Sequence, residues 1–316
     1  NEGKRVFLTC YNKMIGDWMQ KYLEPYKDKI TVTHLHGYLF NLSKGFDYDT
    51  SQSDKQEFYT TYLPMLMRDF FNMGLQKKFD KLIIDEGQDL IRKEYLDLFD
   101  SMLIDGLCNG NWEIYGDFER QAIYAQLQKK EMLDLIKAVC HFSNHVLKIN
   151  CRNTKQIGEE TSLISGFEKP PFLSDYLEGM PVEYHFYNND NQLIEMVENQ
   201  LSGLLRNKLP FNELILLSPR KFENSIVSSL RTIPVKEIKT SRQLFQEEGF
   251  FGFTTIQAFK GMESNYVVIT DIEDLESDIA KSLIYVGMSR AKYRLIVFIS
   301  ESARSQYYQI LSRKLN

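Results

Sequence analysis

Short apolar runs recur along the chain without alternation: Val6–Thr9, Leu82–Ile84, Val146–Ile149, Leu214–Leu217, Tyr266–Ile269 and Leu295–Ile299. A strand with one wet face alternates apolar and polar residues. Strands of a parallel sheet are covered on both faces and read as continuous Val, Ile and Leu, so these runs predict buried parallel strands. Trp112–Tyr115, residues 182–187 (VEYHFY) and residues 252–255 (GFTT) read as further strands. Between the runs, apolar residues return at helical spacing. Met14, Ile15, Trp18, Met19, Tyr22 and Leu23 form one stripe, and Ile91, Tyr95, Leu98, Phe99 and Met102 a second. Leu193, Val197, Leu201 and Leu204 form a third. Strands alternating with amphipathic helices predict an α/β fold with parallel sheets.

At 316 residues the chain exceeds the size at which one core stops growing, so two domains are expected. The boundary is expected between the helical EMLDLIKAVC (131–140) and the strand-like HVLKIN (145–150), giving domains 1–142 and 143–316. Residues 167–181 read as a loop inside the second domain, and the polar stretch 41–58 as a mobile connector. A hydrophobic fraction of 43% and a charged fraction of 26% are those of a globular protein. The net charge of −5 excludes a wholesale basic coating but leaves room for a local basic groove. The four cysteines form no CxxC pair, so neither a disulfide framework nor a zinc site is expected. No apolar run approaches the ~18 residues of a membrane span. A cytoplasmic protein without a membrane partner is the expectation.

Candidate chemistry sits where strands end. Leu82–Ile84 runs into Asp85 and Glu86. In open parallel sheets ligands lie beyond the carboxyl ends of strands. An Asp there can hold Mg²⁺, and a neighbouring Glu can deprotonate an attacking water. After the strand ending at Gly116-Asp117, Gln121 can sense a γ-phosphate through its amide and Tyr124 can stack on a base. Arg152 and Arg290 can stabilise charge on a transferred phosphoryl group, because a planar guanidinium makes paired hydrogen bonds to phosphate. In Thr255–Glu263, Gly261 permits a close backbone approach, Glu263 can bind ribose hydroxyls, and Thr255 and Gln257 can donate to nucleic-acid phosphates. Thr9, Tyr11 and Asn12, and likewise His36, can touch a nucleic-acid backbone at the start of a helix.

Five stretches in order, KLIIDEGQD, GDFERQAIY, LKINCRN, TTIQAFKGMES and IYVGMSRAK, resemble motifs II to VI of the UvrD/Rep-type superfamily 1 DNA helicases. TCYNK and HLHG are similar to motif Ia and the DNA-contact motif that follows it. The resemblance implies two RecA-like domains of the P-loop NTPase fold, with ATP and Mg²⁺ between them and single-stranded DNA, or RNA, as partner. It implies Asp85 as magnesium ligand, Glu86 as catalytic base, Gln121 as phosphate sensor and Arg152 and Arg290 as phosphate contacts. Gly261 and Glu263 would lie by the nucleotide, and Thr9, Asn12, His36, Tyr124, Thr255 and Gln257 by DNA. The phosphate loop G-x-x-x-x-G-K-[ST] is not among these residues. The resemblance places it before residue 1, on a strand beside the motif II strand. The first domain is therefore expected to be incomplete, the chain to be part of a longer protein, and these 316 residues alone to hydrolyse ATP poorly. The function implied is helicase or translocase. Two alternatives stand beside it: a DNA-triggered NTPase switch in a nuclease or defence complex, and a non-catalytic nucleic-acid-binding module.

Overall fold

The computed structural model describes residues 3–45, 56–118, 129–172, 179–244 and 249–315. They form two compact units, Asn1–His145 and Val146–Asn316. Both are α/β, and every strand pairing in both sheets is parallel.

The first unit runs β1 (Val6–Cys10), α1 (Lys13–Tyr22), β2 (Ile30–His34), α2 (Leu35–Ser43), α3 (Leu63–Asn72), β3 (Lys81–Asp85), α4 (Lys93–Met102), the four-residue α5 (Gly106–Asn109), β4 (Asn111–Ile114) and α6 (Lys129–Val139). Its sheet has the order β2-β1-β3-β4. The apolar stripes dictate which helix faces are covered. Tyr95, Leu98, Phe99 and Met102 of α4 pack with Phe7, Leu82 and Ile84 of the sheet, and with Met67 and Phe71 of α3. Each such large side chain contributes about 1.5–3 kcal/mol when removed from water. α1 starts where Asn12 accepts a hydrogen bond from the Met14 amide at 2.8 Å.

The second unit runs α7 (Lys155–Ser165), β5 (Glu183–Tyr187), α8 (Asp190–Arg206), β6 (Leu214–Ser218), β7 (Val235–Glu237), α9 (Ser241–Leu244), β8 (Phe251–Thr255), β9 (Ser264–Ile272), α10 (Asp278–Met288), β10 (Ala291–Ser300) and α11 (Arg304–Leu315). The strand order is β5-β10-β9-β6-β8-β7. β6 is buried along its whole length, as its unbroken LILLS requires. α8 begins at Asn189, whose side chain accepts from the Gln192 amide at 3.0 Å, and buries Leu193, Val197, Leu201 and Leu204.

One expectation is corrected. Val146–Ile149 is not a strand: Leu147 is 95% exposed, and the run makes only the isolated bridge Asn150–Phe172 at its end. Apolar composition alone cannot make a strand without a ladder to join. Among the described residues β3 pairs with β1 on one side and β4 on the other. β2 was not anticipated, because ITVTH mixes threonine and histidine into its pattern.

Candidate functional site

In the first unit the candidate residues gather at the carboxyl edge of the sheet. Register puts His34, Cys10 and Asp85 in one rank at the ends of β2, β1 and β3. The Tyr115 amide extends the rank by donating to the Ile84 carbonyl at 2.8 Å. Asp85 is half-buried; burial, and then the charge of Glu86, raise its carboxyl pKa above the usual range. Burial, and then the charges of Asp85 and Glu86, push the Cys10 thiol up and favour its neutral form.

Glu86 takes a left-handed backbone, φ 52°, uncommon for a residue with a side chain. That kink ends β3 and throws the chain into the turn Gly87–Asp89. Gln88, 1% exposed, donates through Nε2 to Glu86 Oε2 at 2.5 Å and accepts at Oε1 from the Asp117 amide at 3.1 Å. The Gly87 amide donates to the Tyr115 carbonyl at 2.8 Å. The turn thus lies tightly on the segment after β4.

Of the residues expected near DNA, Thr9 is fully buried and its hydroxyl donates to the Thr33 carbonyl at 2.9 Å. Asn12 uses its side chain as the cap of α1. His36 lies among Tyr11, Tyr59 and Tyr95, its Nε2 2.6 Å from the Tyr95 hydroxyl. Burial, and then His34 and Arg92, hold its pKa down to about 4, so the ring is neutral at pH 7. Gln121 and Tyr124 lie outside the described residues.

In the second unit three segments distant in sequence meet at the amino edge of β9 and β10, where Ala291 is in register with Ser264. Glu263, just before β9, receives the Arg152 guanidinium at 3.2 Å on one oxygen and the Lys292 ammonium at 2.9 Å on the other. Burial opposes its ionisation, but Lys292 and Arg152 outweigh it and hold the carboxyl below the usual range. Arg290 is fully buried behind them. It donates to the Val286 carbonyl at 2.9 Å, the Met262 carbonyl at 3.3 Å and the Ser289 hydroxyl at 2.9 Å. Arg152, by contrast, is 38% exposed in its side chain. Asn153 fastens the arrangement: its Nδ2 donates to the Ser289 carbonyl at 3.0 Å and the Ala291 carbonyl at 2.5 Å.

Thr255 and Gln257 lie at the other edge. Thr255 ends β8 in register with Ser218, and its hydroxyl accepts from the Ala258 amide at 3.1 Å. Gly261 has φ +80°, a conformation that favours glycine, in the short segment joining the two edges. The structure therefore brings Arg152, Glu263 and Arg290 together and leaves Thr255 and Gln257 a strand length away. Sequence reasoning missed the roles of Gln88, Asn153 and Lys292. Each stands within two residues of a candidate (Glu86, Arg152 and Arg290), and that adjacency was the available signal.

Among the described residues no cluster of three or more His, Cys, Asp or Glu side chains could hold a metal, and no helix is long and apolar enough to cross a membrane. No curated protein matches the chain. The chain is 17% identical to the C-terminal domain of a possible DNA helicase from Lactobacillus plantarum WCFS1, known as a crystal structure, with a TM-score of 0.38, over 48% of this chain and 88% of that one. Residues 251–298, from β8 through β9 and α10 into β10, match the family model of the UvrD-like helicase C-terminal domain, and this segment holds Thr255, Gln257, Gly261, Glu263 and Arg290.

Proposed function

We propose that the chain is part of an ATP-dependent DNA helicase or translocase that couples ATP hydrolysis to movement on single-stranded DNA. One observation carries the reading. The segment that matches the UvrD-like helicase C-terminal domain folds so that Glu263 and Arg290 meet Arg152 at one edge of the second unit.

The donors suit magnesium. Mg²⁺ takes one or two carboxylates, completes its shell with water and phosphate oxygens, and needs no cage of several side chains. Asp85, half-buried at a strand end with a second carboxylate beside it, offers that kind of ligand. Bound Mg²⁺-ATP would supply the phosphoryl group and neutralise the charge that develops on it. Glu86 takes the proton of the attacking water on its carboxylate. Arg152 is the solvent-facing guanidinium available to phosphate oxygens; to reach phosphate it leaves Glu263, which Lys292 still holds. Arg290 sits one layer deeper and ties the Met262 carbonyl to the end of α10, so it acts on phosphate only if those bonds exchange. Thr255 and Gln257, at the opposite edge of the second unit, are offered to the nucleic-acid backbone.

The test is DNA-stimulated ATP hydrolysis and strand displacement. These 316 residues should show no stimulated hydrolysis. A protein extended upstream by a phosphate loop should hydrolyse ATP in a DNA-dependent way, and Glu86→Gln in it should lower kcat by about 10²–10⁴. Robust activity without the extension, or an extended protein indifferent to Glu86→Gln, would refute the proposal.

A further inference from the structure

We propose that Gln88 is a positioning residue that couples the carboxylate of Glu86 to the segment after β4, so that a movement of Gly116-Asp117 reorients Glu86. The inference rests on the reading of Glu86 as the base. Its geometry stands independently of that reading.

Gln88 is nearly inaccessible to solvent, yet carries an amide, and a buried amide must be bonded at both ends. The two ends go to different places. Nε2 holds Glu86 Oε2 at 2.5 Å, a short bond to a charged acceptor. Oε1 receives the Asp117 amide at 3.1 Å. One rigid planar group therefore spans two segments 29 residues apart in sequence. Displacing either end must turn the amide and with it the other end.

The surroundings leave the amide little freedom. A Cβ at Gly116 would strike Gln88 Oε1 and come within 3.0 Å of the Gly87 amide nitrogen. A Cβ at Gly87 would strike the Ile114 side chain. Two glycines thus permit the turn at 86–88 and the segment at 115–117 to touch. The main chain of Glu86 is already kinked into the left-handed region, so its carboxylate is aimed by the side-chain bond to Gln88 as well as by backbone that has few alternatives. Gln88 touches no reacting atom in this account, and its work is done through Glu86.

Hydrogen exchange at the Asp117 amide, read by NMR in the 316-residue chain, tests the coupling without nucleotide or metal. Gln88→Met removes the acceptor and should speed exchange at 117 about tenfold. Glu86→Asn tolerates the left-handed backbone but is too short to reach Gln88 Nε2. It should speed exchange at 117 about threefold, although Glu86 is not the acceptor of that amide. The double variant should show no more than the tenfold of Gln88→Met, because the effect of Glu86 passes through Gln88. Should Gln88→Met fail to fold, Gln88→Glu replaces it. That variant keeps an acceptor for Asp117 but sets a second carboxylate against Glu86, so it should speed exchange at 117 at least threefold, and adding Glu86→Asn, which removes the repulsion, should bring the rate back towards wild type. An Asp117 amide indifferent to Glu86→Asn, or effects that multiply in the double variant, would overturn the proposal. In an extended protein active as an ATPase, Gln88→Glu should lower kcat at least tenfold and leave KM for ATP unchanged; an unchanged kcat counts against the proposal. A wild-type extended protein with no ATPase sinks the helicase reading instead, and the exchange cycle still decides the coupling.

Discussion

Asn153 holds the second unit's site together, and its removal has a calculable cost. The side chain is 5% exposed, and its Nδ2 satisfies two main-chain carbonyls, those of Ser289 and Ala291, on either side of Arg290. Its Oδ1 accepts from Asn150 Nδ2 at 3.1 Å. Asn153→Ala leaves two buried carbonyls without this donor. With each such loss worth about 1–1.5 kcal/mol, and some repacking around the vacated volume, the variant should lose about 2–4 kcal/mol. Asn153→Asp has almost the same shape and should be worse than alanine at pH 7. It keeps the donor Asn150 Nδ2 on one oxygen but sets the other against two carbonyl oxygens in a site closed to water, where an under-paired charge costs several kcal/mol. A chain of two units has no single unfolding free energy, so the assay is native-state hydrogen exchange of α7 and β10 amides, with β1 and β3 amides as the internal reference. The expected order of stability is wild type, then Asn153→Ala, then Asn153→Asp, with the first unit unmoved. An Asn153→Asp variant as stable as wild type at pH 7, or an alanine cost under about 0.5 kcal/mol, would refute the view that Asn153 clamps the Arg290 junction.

Two further outcomes follow from buried groups outside that junction. His36 has a folded pKa near 4 against an ordinary 6.5, so it stays neutral in the fold while the unfolded chain takes up a proton. Its stability contribution is complete above pH 6.5 and is lost as pH falls towards 4, roughly 3 kcal/mol in all; His36→Gln should flatten the fall in the first unit's denaturant midpoint, read by exchange protection of its β1 and β3 amides, between pH 7 and 4, and an unchanged slope would contradict it. Asp271 is 2% exposed, has φ 60°, and accepts from Ser218 Oγ and Ser225 Oγ at 2.6 Å, Thr270 Oγ1 at 2.9 Å and the Ile226 amide at 3.3 Å. Asp271→Ala should cost about 3–5 kcal/mol and Asp271→Asn distinctly less, because Asn keeps an acceptor and tolerates the left-handed backbone, and equal losses in β6 and β9 protection would argue against this account.

The first unit was the more legible of the two. Its candidates come directly after strands, and a strand that ends in polar residues at the carboxyl edge of a parallel sheet is readable from a few contiguous letters. LIIDE shows both the strand and the acids. What the letters could not show is the aim of those acids. The hydrogen bond from the Asp117 amide to Gln88 depends on β4 lying beside β3, a contact between segments some thirty residues apart. Thr9 and Asn12 show the same limit in reverse. Their type and place suit anion contacts, yet the fold spends one hydroxyl on Thr33 and one amide on the α1 cap. Val146–Ile149 misled because hydrophobicity predicts burial and not a partner edge, and here the edges of the second sheet belong to β5 and β7.

In the second unit the three groups that meet precede their elements instead of following strands. Glu263 comes before β9, Arg290 before β10, and Arg152 before α7, so nothing local announces that they share an edge. The short segment between β8 and β9 makes the consequence physical. It leaves the carboxyl edge at Thr255, level with Thr270 of β9, and arrives at the amino edge at Ser264, six residues or about 20 Å lower along the strand direction. Along it Ile256, Phe259, Lys260 and Met262 are all buried. A packed segment of that kind cannot absorb a shift at one end by loosening in the middle, since its side chains sit at interior density. Glu263 and Thr255 thus stand at the two ends of one largely packed segment, at opposite edges of the sheet.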